Sequence, residues 1–218
     1  MIVVRWAALF LLAAVVVAND KKAKPPTDKQ ILDRLHTELA KIPRFRTGFD
    51  QEKHLKVFKK PVKSSGVLLF ERPDRMRWET TKPFRSILIV SGKEVAKFEW
   101  VDKKRKKLKL GRAADAILLA MKRLQAWFSG TFDDKNFTVT VVRKPELHIL
   151  LVPKDAALKK RIAKMEFFPA KDMKSMTRVV IHEARGDRTV LTFRDQENGA
   201  KLPKNAFSLT DPADVHGG

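Results

Sequence analysis

The chain has 218 residues, 44% of them hydrophobic, enough for one domain with a real core. Lys and Arg outnumber Asp and Glu by 46 to 25, and the net charge of +21 favours acidic partners: nucleic acid, anionic headgroups or an acidic protein surface. There is no cysteine, which excludes disulfides, thiol catalysis, thiolate metal sites and lipid attachment at a mature N-terminal Cys.

Met1 to Arg5 is short and positive, and Trp6 to Val17 is an unbroken apolar run of 12 residues. Val16 and Ala18 then suit the −3 and −1 positions of a cleavage site. A membrane span needs about 20 apolar residues. The segment 1–18 therefore reads as a secretory signal peptide rather than an anchor. Export predicts a periplasmic protein and removes nucleic acid as a partner. Residues 19–26 (NDKKAKPP) read as a flexible leader.

Thr27 is the expected N-cap of a helix over about 28–41, with Gln30 completing a capping box. Ile31, Leu32, Leu35 and Leu39 form its apolar face, and Pro43 stops it. From Phe45 the apolar period falls to two. Strands are expected over 45–51, 63–72, 75–80, 84–91 and 93–101, with 105–110 as an extension. Arg72-Pro73-Asp74, Thr81-Lys82-Pro83 and Ser91-Gly92 are the breaks. Residues 112–128 are apolar around most of a helical circumference and read as a lid helix. Further strands are expected over 137–143, 146–152, 162–168, 176–183, 189–195 and 206–209, with a helical turn over 155–160.

About eleven strands and two main helices place the chain in the α+β class, mainly β, as a single domain over 27–212 with a tail over 213–218. The natural arrangement is an unclosed antiparallel β-barrel whose hollow is covered by helices. Its apolar lining is expected from Phe49, Leu69, Met76, Trp78, Ile87, Ile89, Phe98 and Trp100 on the sheet. Leu118, Met121, Leu124 and Trp127 would add the underside of the lid. Met suits such a lining because its thioether chain repacks easily.

Two stretches resemble the LolA family of outer-membrane lipoprotein carriers. Phe45-Arg-Thr-Gly-Phe49-Asp-Gln51 is similar to the family's F-x-x-x-F-x-Q strand. Gly66-Val-Leu68, followed by Arg72-Pro73 and Trp78, resembles its G-x-L-x-x-x-R-P-x-x-x-x-W signature. The likeness runs from Phe45 to about Phe98, a quarter of the chain. Ala96 departs from it, since the family often has an aromatic there. The resemblance implies an eleven-stranded unclosed barrel with a helical lid, and acyl chains of lipoproteins as cargo. It assigns to Arg72 the latch that bonds backbone groups of the lid helices. It also implies an inner-membrane ATP-driven release complex, an outer-membrane acceptor and a monomeric carrier.

Lys103, Lys104, Arg105, Lys106 and Lys107 form a basic run at a hairpin: either a docking patch for an acidic surface or a solvated turn. No catalytic residue, metal site or cofactor is expected. His36, His54, His148, His182 and His216 show no ligand spacing, no nucleophile motif or Gly-rich phosphate loop is present, and Asp133-Asp134 reads as a turn. The expected function is therefore non-enzymatic shielding of acyl chains between two membranes. The alternatives are a lipid-sensing regulatory module of the same fold and a carrier of another amphiphile.

Overall fold

The computed structural model describes residues 24–132 and 135–215. The expected signal peptide, the first part of the leader, the Asp133-Asp134 pair and His216 lie outside them. Helix α1 (Asp28–Ala40) begins on the expected capping box. The Thr27 hydroxyl accepts from the Gln30 N–H, and the Thr27 N–H donates to Gln30 Oε1 at 2.8 Å. Ile31, Leu35 and Leu39 are the buried stripe of this helix.

Six strands follow in an antiparallel meander: β1 (Arg44–His54), β2 (Val62–Glu71), β3 (Arg75–Lys82), β4 (Ser86–Ser91), β5 (Glu94–Val101) and β6 (Lys104–Leu108). Helix α2 (Ala113–Phe128) separates them from β7 (Phe137–Val142) and β8 (His148–Pro153). Short α3 (Ala156–Lys159) precedes β9 (Ile162–Pro169), β10 (Met176–Glu183) and β11 (Arg188–Asn198). All eleven strands form one sheet in the order β6-β5-β4-β3-β2-β1-β11-β10-β9-β8-β7, so β6 and β7 are its open edges. The number of strands matches the expectation, but its membership does not. Residues 104–108 are a full strand, whereas 206–209 form turns and coil.

Helix α1 bridges distant strands of the sheet through two arginine side chains. At its start, Arg143 after β7 donates to the Pro26 carbonyl at 2.8 Å and pairs with Asp28 at 2.7 Å. At its end, the Arg72 guanidinium after β2 reaches the Leu39 carbonyl. Thirteen residues span about 20 Å as a helix. The six strand steps from β2 to β7 cover about 29 Å along the sheet. A helix shorter than the sheet it bridges is a chord across a concave face.

That concave face holds the larger core, where the helices pack on Phe45, Phe49, Leu68, Phe70, Met76, Phe137, Met165, Phe167 and Phe193. A second, smaller core lies on the opposite face. There Leu69, Ile87, Ile89, Ala96 and Phe98 are covered by Leu202, Ala206, Phe207, Leu209 and Val215 from the segment after β11. This strap is tied down by arginines. Arg77 donates to the carbonyls of Ala206 (2.9 Å) and Ala213 (2.8 Å), and Arg105 donates to that of Pro212 at 2.6 Å. Arg85 pairs with Asp214 at 3.2 Å. The contacts thus run past residue 212 to the last described positions.

Arg77 is fully buried with Glu79, whose carboxylate it meets through both Nε and Nη2, while Arg85 reaches the other Glu79 oxygen at 2.9 Å. Burial pulls the Arg77 guanidinium below the ordinary arginine value, and the Glu79 carboxylate acts in the opposite sense. Removing one partner of such a pair leaves an uncompensated buried charge. Arg77→Met is therefore expected to cost about 3–5 kcal/mol in denaturant unfolding. It should also free the strap, which trypsin would then cut after Lys201 and Lys204; a strap as resistant as wild type would contradict this anchoring role.

Candidate functional site

The Gly66 motif packs the floor of the concave face. Phe49 and Trp78 meet there as a tilted pair with ring centroids 4.3 Å apart, and Phe45 and Phe70 stack at 5.1 Å. A Cβ on Gly66 would sit 1.9 Å from the Glu79 carbonyl oxygen and 2.8 Å from the Phe49 ring, so the β3 backbone and that ring close up only around glycine.

Arg72 sits at the end of the motif and is half-buried. Its Nε donates to the Ile42 carbonyl and its Nη2 to the Leu39 carbonyl, both at 3.0 Å, while its backbone N–H donates to Pro43 at 2.8 Å. These carbonyls belong to the last turn and exit of α1, where helix geometry leaves acceptors without intrahelical partners. Burial lowers the Arg72 pKa from the ordinary arginine value. The Arg72 bonds go to the end of α1 and its exit, and its guanidinium lies over the Phe70 ring at 5.7 Å. Gly130, at φ 72°, follows α2 and lies so close to α1 that a Cβ would come within 2.7 Å of the His36 Cα.

The twelve residues expected to share one lining divide between the two faces. Phe49, Met76, Trp78, Leu118, Met121, Leu124 and Trp127 lie in the helix-side core. Leu69, Ile87, Ile89, Phe98 and Trp100 do not: they pack under the strap. Register explains the correction. Directly paired residues share a face. Leu69 and Ile89 pair with Arg77, and Ile87 pairs with Glu79 and Phe98, all opposite in parity to Met76 and Trp78. In Ser86-Ile-Leu-Ile-Val-Ser91 both parities are apolar, so alternation carried no sign of which side faced the helices.

The concave interior is largely filled. Beneath the end of α1, a closed gap among Leu39, Ile42, Phe45, Phe70, Phe128, Ser175, Met176 and Gln196 leaves no room for a water molecule. Open apolar space lies along the outer flank of α2, in a cleft of about 370 Å³. Leu119, Ala120, Leu124 and Trp127 form one wall, and Phe137, Leu158, Ile162, Met165 and Ile181 the other; Arg123 and Arg161 also line it. Leu119 is 56% exposed. Of the expected residues only Leu124 and Trp127 reach this cleft. The facing wall comes from α3, β7, β9 and β10, whose sequences gave no sign that they would meet α2.

Lys103 to Lys107 are all exposed on the open-edge strand β6 and its turn, with Lys103 at φ 62°. Arg105 is the exception in role, since it bonds the strap and pairs with Asp211. His148 and His182, distant in sequence, flank Glu166, with His182 Nε2 at 2.9 Å and His148 Nε2 at 4.0 Å. Burial pushes the Glu166 carboxyl up, but bonds from Lys164 and His182 outweigh it and leave the pKa lowered. Among the described residues no group of three His, Cys, Asp or Glu could hold a metal ion, and no helix is long and apolar enough to cross a membrane.

Arg72→Leu is expected to preserve the sheet but to speed amide exchange in α1 and, through Gly130, in α2. The loss of two bonds corresponds to about 1–3 kcal/mol of local protection. Unchanged exchange in α1 would show that Arg72 is not the latch.

The model of the family described as "Outer membrane lipoprotein carrier protein LolA" matches residues 40–210. An outer-membrane lipoprotein carrier protein of Dechloromonas aromatica is 28% identical over 189 residues, 84% of each chain. Another, of Methylibium petroleiphilum, is 28% identical over 220 residues, covering 95% of this chain and 94% of its own. The crystal structure of a LolA superfamily protein from Nitrosomonas europaea superposes with a TM-score of 0.43 at 11% identity, covering 84% of this chain and 98% of the other. With the family model spanning most of its length, this chain belongs to the LolA family of outer-membrane lipoprotein carriers.

Proposed function

We propose that the protein is a periplasmic carrier that shields the acyl chains of lipoproteins while they pass from the inner to the outer membrane. Carrier proteins of this family are not enzymes. The observation that carries the reading is the open apolar cleft between α2 and the sheet, next to the core that the helices cover.

The energy of the task follows from the cargo. An acyl chain of about 15 methylenes, each worth about 0.8 kcal/mol, costs on the order of 12 kcal/mol to expose to water. A carrier must remove that exposure without holding the chain more tightly than the next membrane does. A cleft of about 370 Å³ is open along α2. In the carrier cycle α2 moves off the sheet and lends the chain the apolar surface that Leu118, Met121 and Phe128 now cover. The latch at Arg72 sets how easily that happens. Two hydrogen bonds in a half-buried place, worth about 1–3 kcal/mol together, are weak enough to break and reform.

In this reading initial extraction needs outside energy, supplied by an inner-membrane ATP-driven complex, and delivery runs downhill to an outer-membrane acceptor. The exposed lysines of β6 serve as a docking surface for an acidic partner.

The test is direct. Protein isolated from the periplasm should carry acyl lipids identifiable by mass spectrometry. Leu119→Gln, at an exposed position, should change stability by less than about 0.5 kcal/mol and yet lower retention of an acyl probe about tenfold, since it removes apolar area from the cleft. Lipid-free protein that also fails to take up lipoprotein in a reconstituted transfer assay would refute the carrier function.

A further inference from the structure

Gln125 stands on α2 between Met121 and Phe128, about one turn from each, and all three are buried. Met121 and Phe128 belong to the core beneath the helices, so the shared stripe carries Gln125 into the same apolar layer. Its neighbour Leu124, and Trp127 two residues on, line the open cleft. Gln125 is only 6% exposed, and its Nε2 has no hydrogen-bond partner. Among the described residues it is the one buried side-chain polar atom left in that state.

Nothing about the helix requires an amide there. Gln and Leu have similar helix propensities, and Leu or Met would fill the position without burying an unused donor. Buried polar groups are nearly always satisfied, so an orphan donor inside a binding layer points to a partner that arrives with the ligand. An acyl chain is apolar along its length and polar only at its head, where an ester or amide carbonyl offers two lone pairs. Beside Gln125 itself, between Met121 and Phe128, a neutral carbonyl is the acceptor that fits at the lower desolvation cost, whereas a carboxylate suits the cleft mouth at Arg123 and Arg161.

We propose that Gln125 Nε2 donates a hydrogen bond to the ester or amide carbonyl of a bound acyl group, which makes the protein selective for acylated lipids over hydrocarbon chains that lack a carbonyl. The proposal rests on the carrier reading above. It assigns Gln125 to cargo recognition, with the lid helix carrying both the apolar wall and a buried polar contact.

The test compares a diacylglycerol with the dialkyl ether of the same chain length, each competing against a fluorescent fatty-chain probe on the purified protein. Wild type is expected to bind the diester about tenfold more tightly than the diether. Gln125→Met should bind both at the wild-type diether level, and without ligand it should melt no lower than wild type. A diester preference that survives in Gln125→Met, or a marked drop in its melting temperature, overturns the proposal, because the amide would then be structural. The wild-type comparison decides the matter even should the variant fail to fold: equal affinity for the two lipids removes the role of Gln125 and leaves the carrier function standing. Binding of neither lipid removes both.

Discussion

The structure depends on a sheet that is apolar on both faces over β2 to β5 and must therefore be covered twice. Leu68, Phe70, Met76 and Val90 face one way, and Leu69, Ile87, Ile89 and Phe98 the other. Leaving either set in water would forfeit about 25 cal/mol for each Å² exposed. The two covers are built differently. The strap after β11 is held by Arg77, which is fully buried with Glu79 and bonds two strap carbonyls, so releasing it would strand a charge pair. The helices on the concave side are held to the motif loop by Arg72, a half-buried guanidinium on two carbonyls that water could otherwise serve.

Under the proposed carrier function, that asymmetry separates a permanent core from one that opens. Opening at α1 would then reach α2, because Gly130 brings the two backbones together more closely than any side chain would permit. The open edges β6 and β7 matter for the same reason. A closed barrel would fix its circumference, whereas a chord-like helix across an open, curled sheet can lift without breaking strand pairs. The cleft beside α2 is the accessible, apolar-lined part of the helix side of the sheet.

The charge has its own logic. Much of the excess of Lys and Arg lies on exposed positions, and the lysines of β6 line an unpaired strand edge, where positive charge also discourages edge-to-edge association. Some of the arginines are structural. Arg46, Arg77, Arg85 and Arg105 all face the strap, so net charge alone overstates the surface free for acidic partners.

The sequence by itself determined a great deal. The capping box at Thr27 and Gln30, the period-two runs after Phe45, the breaks at Arg72-Pro73 and Lys82-Pro83, and the apolar helix before Ser129-Gly130 are local signals, and local energetics suffice to place them. The Gly66 to Trp78 motif likewise marked Arg72, whose donors meet the unpaired acceptors that every helix end presents. Tertiary structure alone decided which apolar parity of β4 and β5 faces the helices. It decided that residues 206–209 form a strap and not a strand, and that α2 meets α3, β9 and β10 across the open cleft. It also decided that Gln125 would be buried without a partner. These are relations between distant segments, set by register, curl and the mutual exclusion of side chains, and a strand apolar at every position carries no mark of the side on which its neighbours will lie.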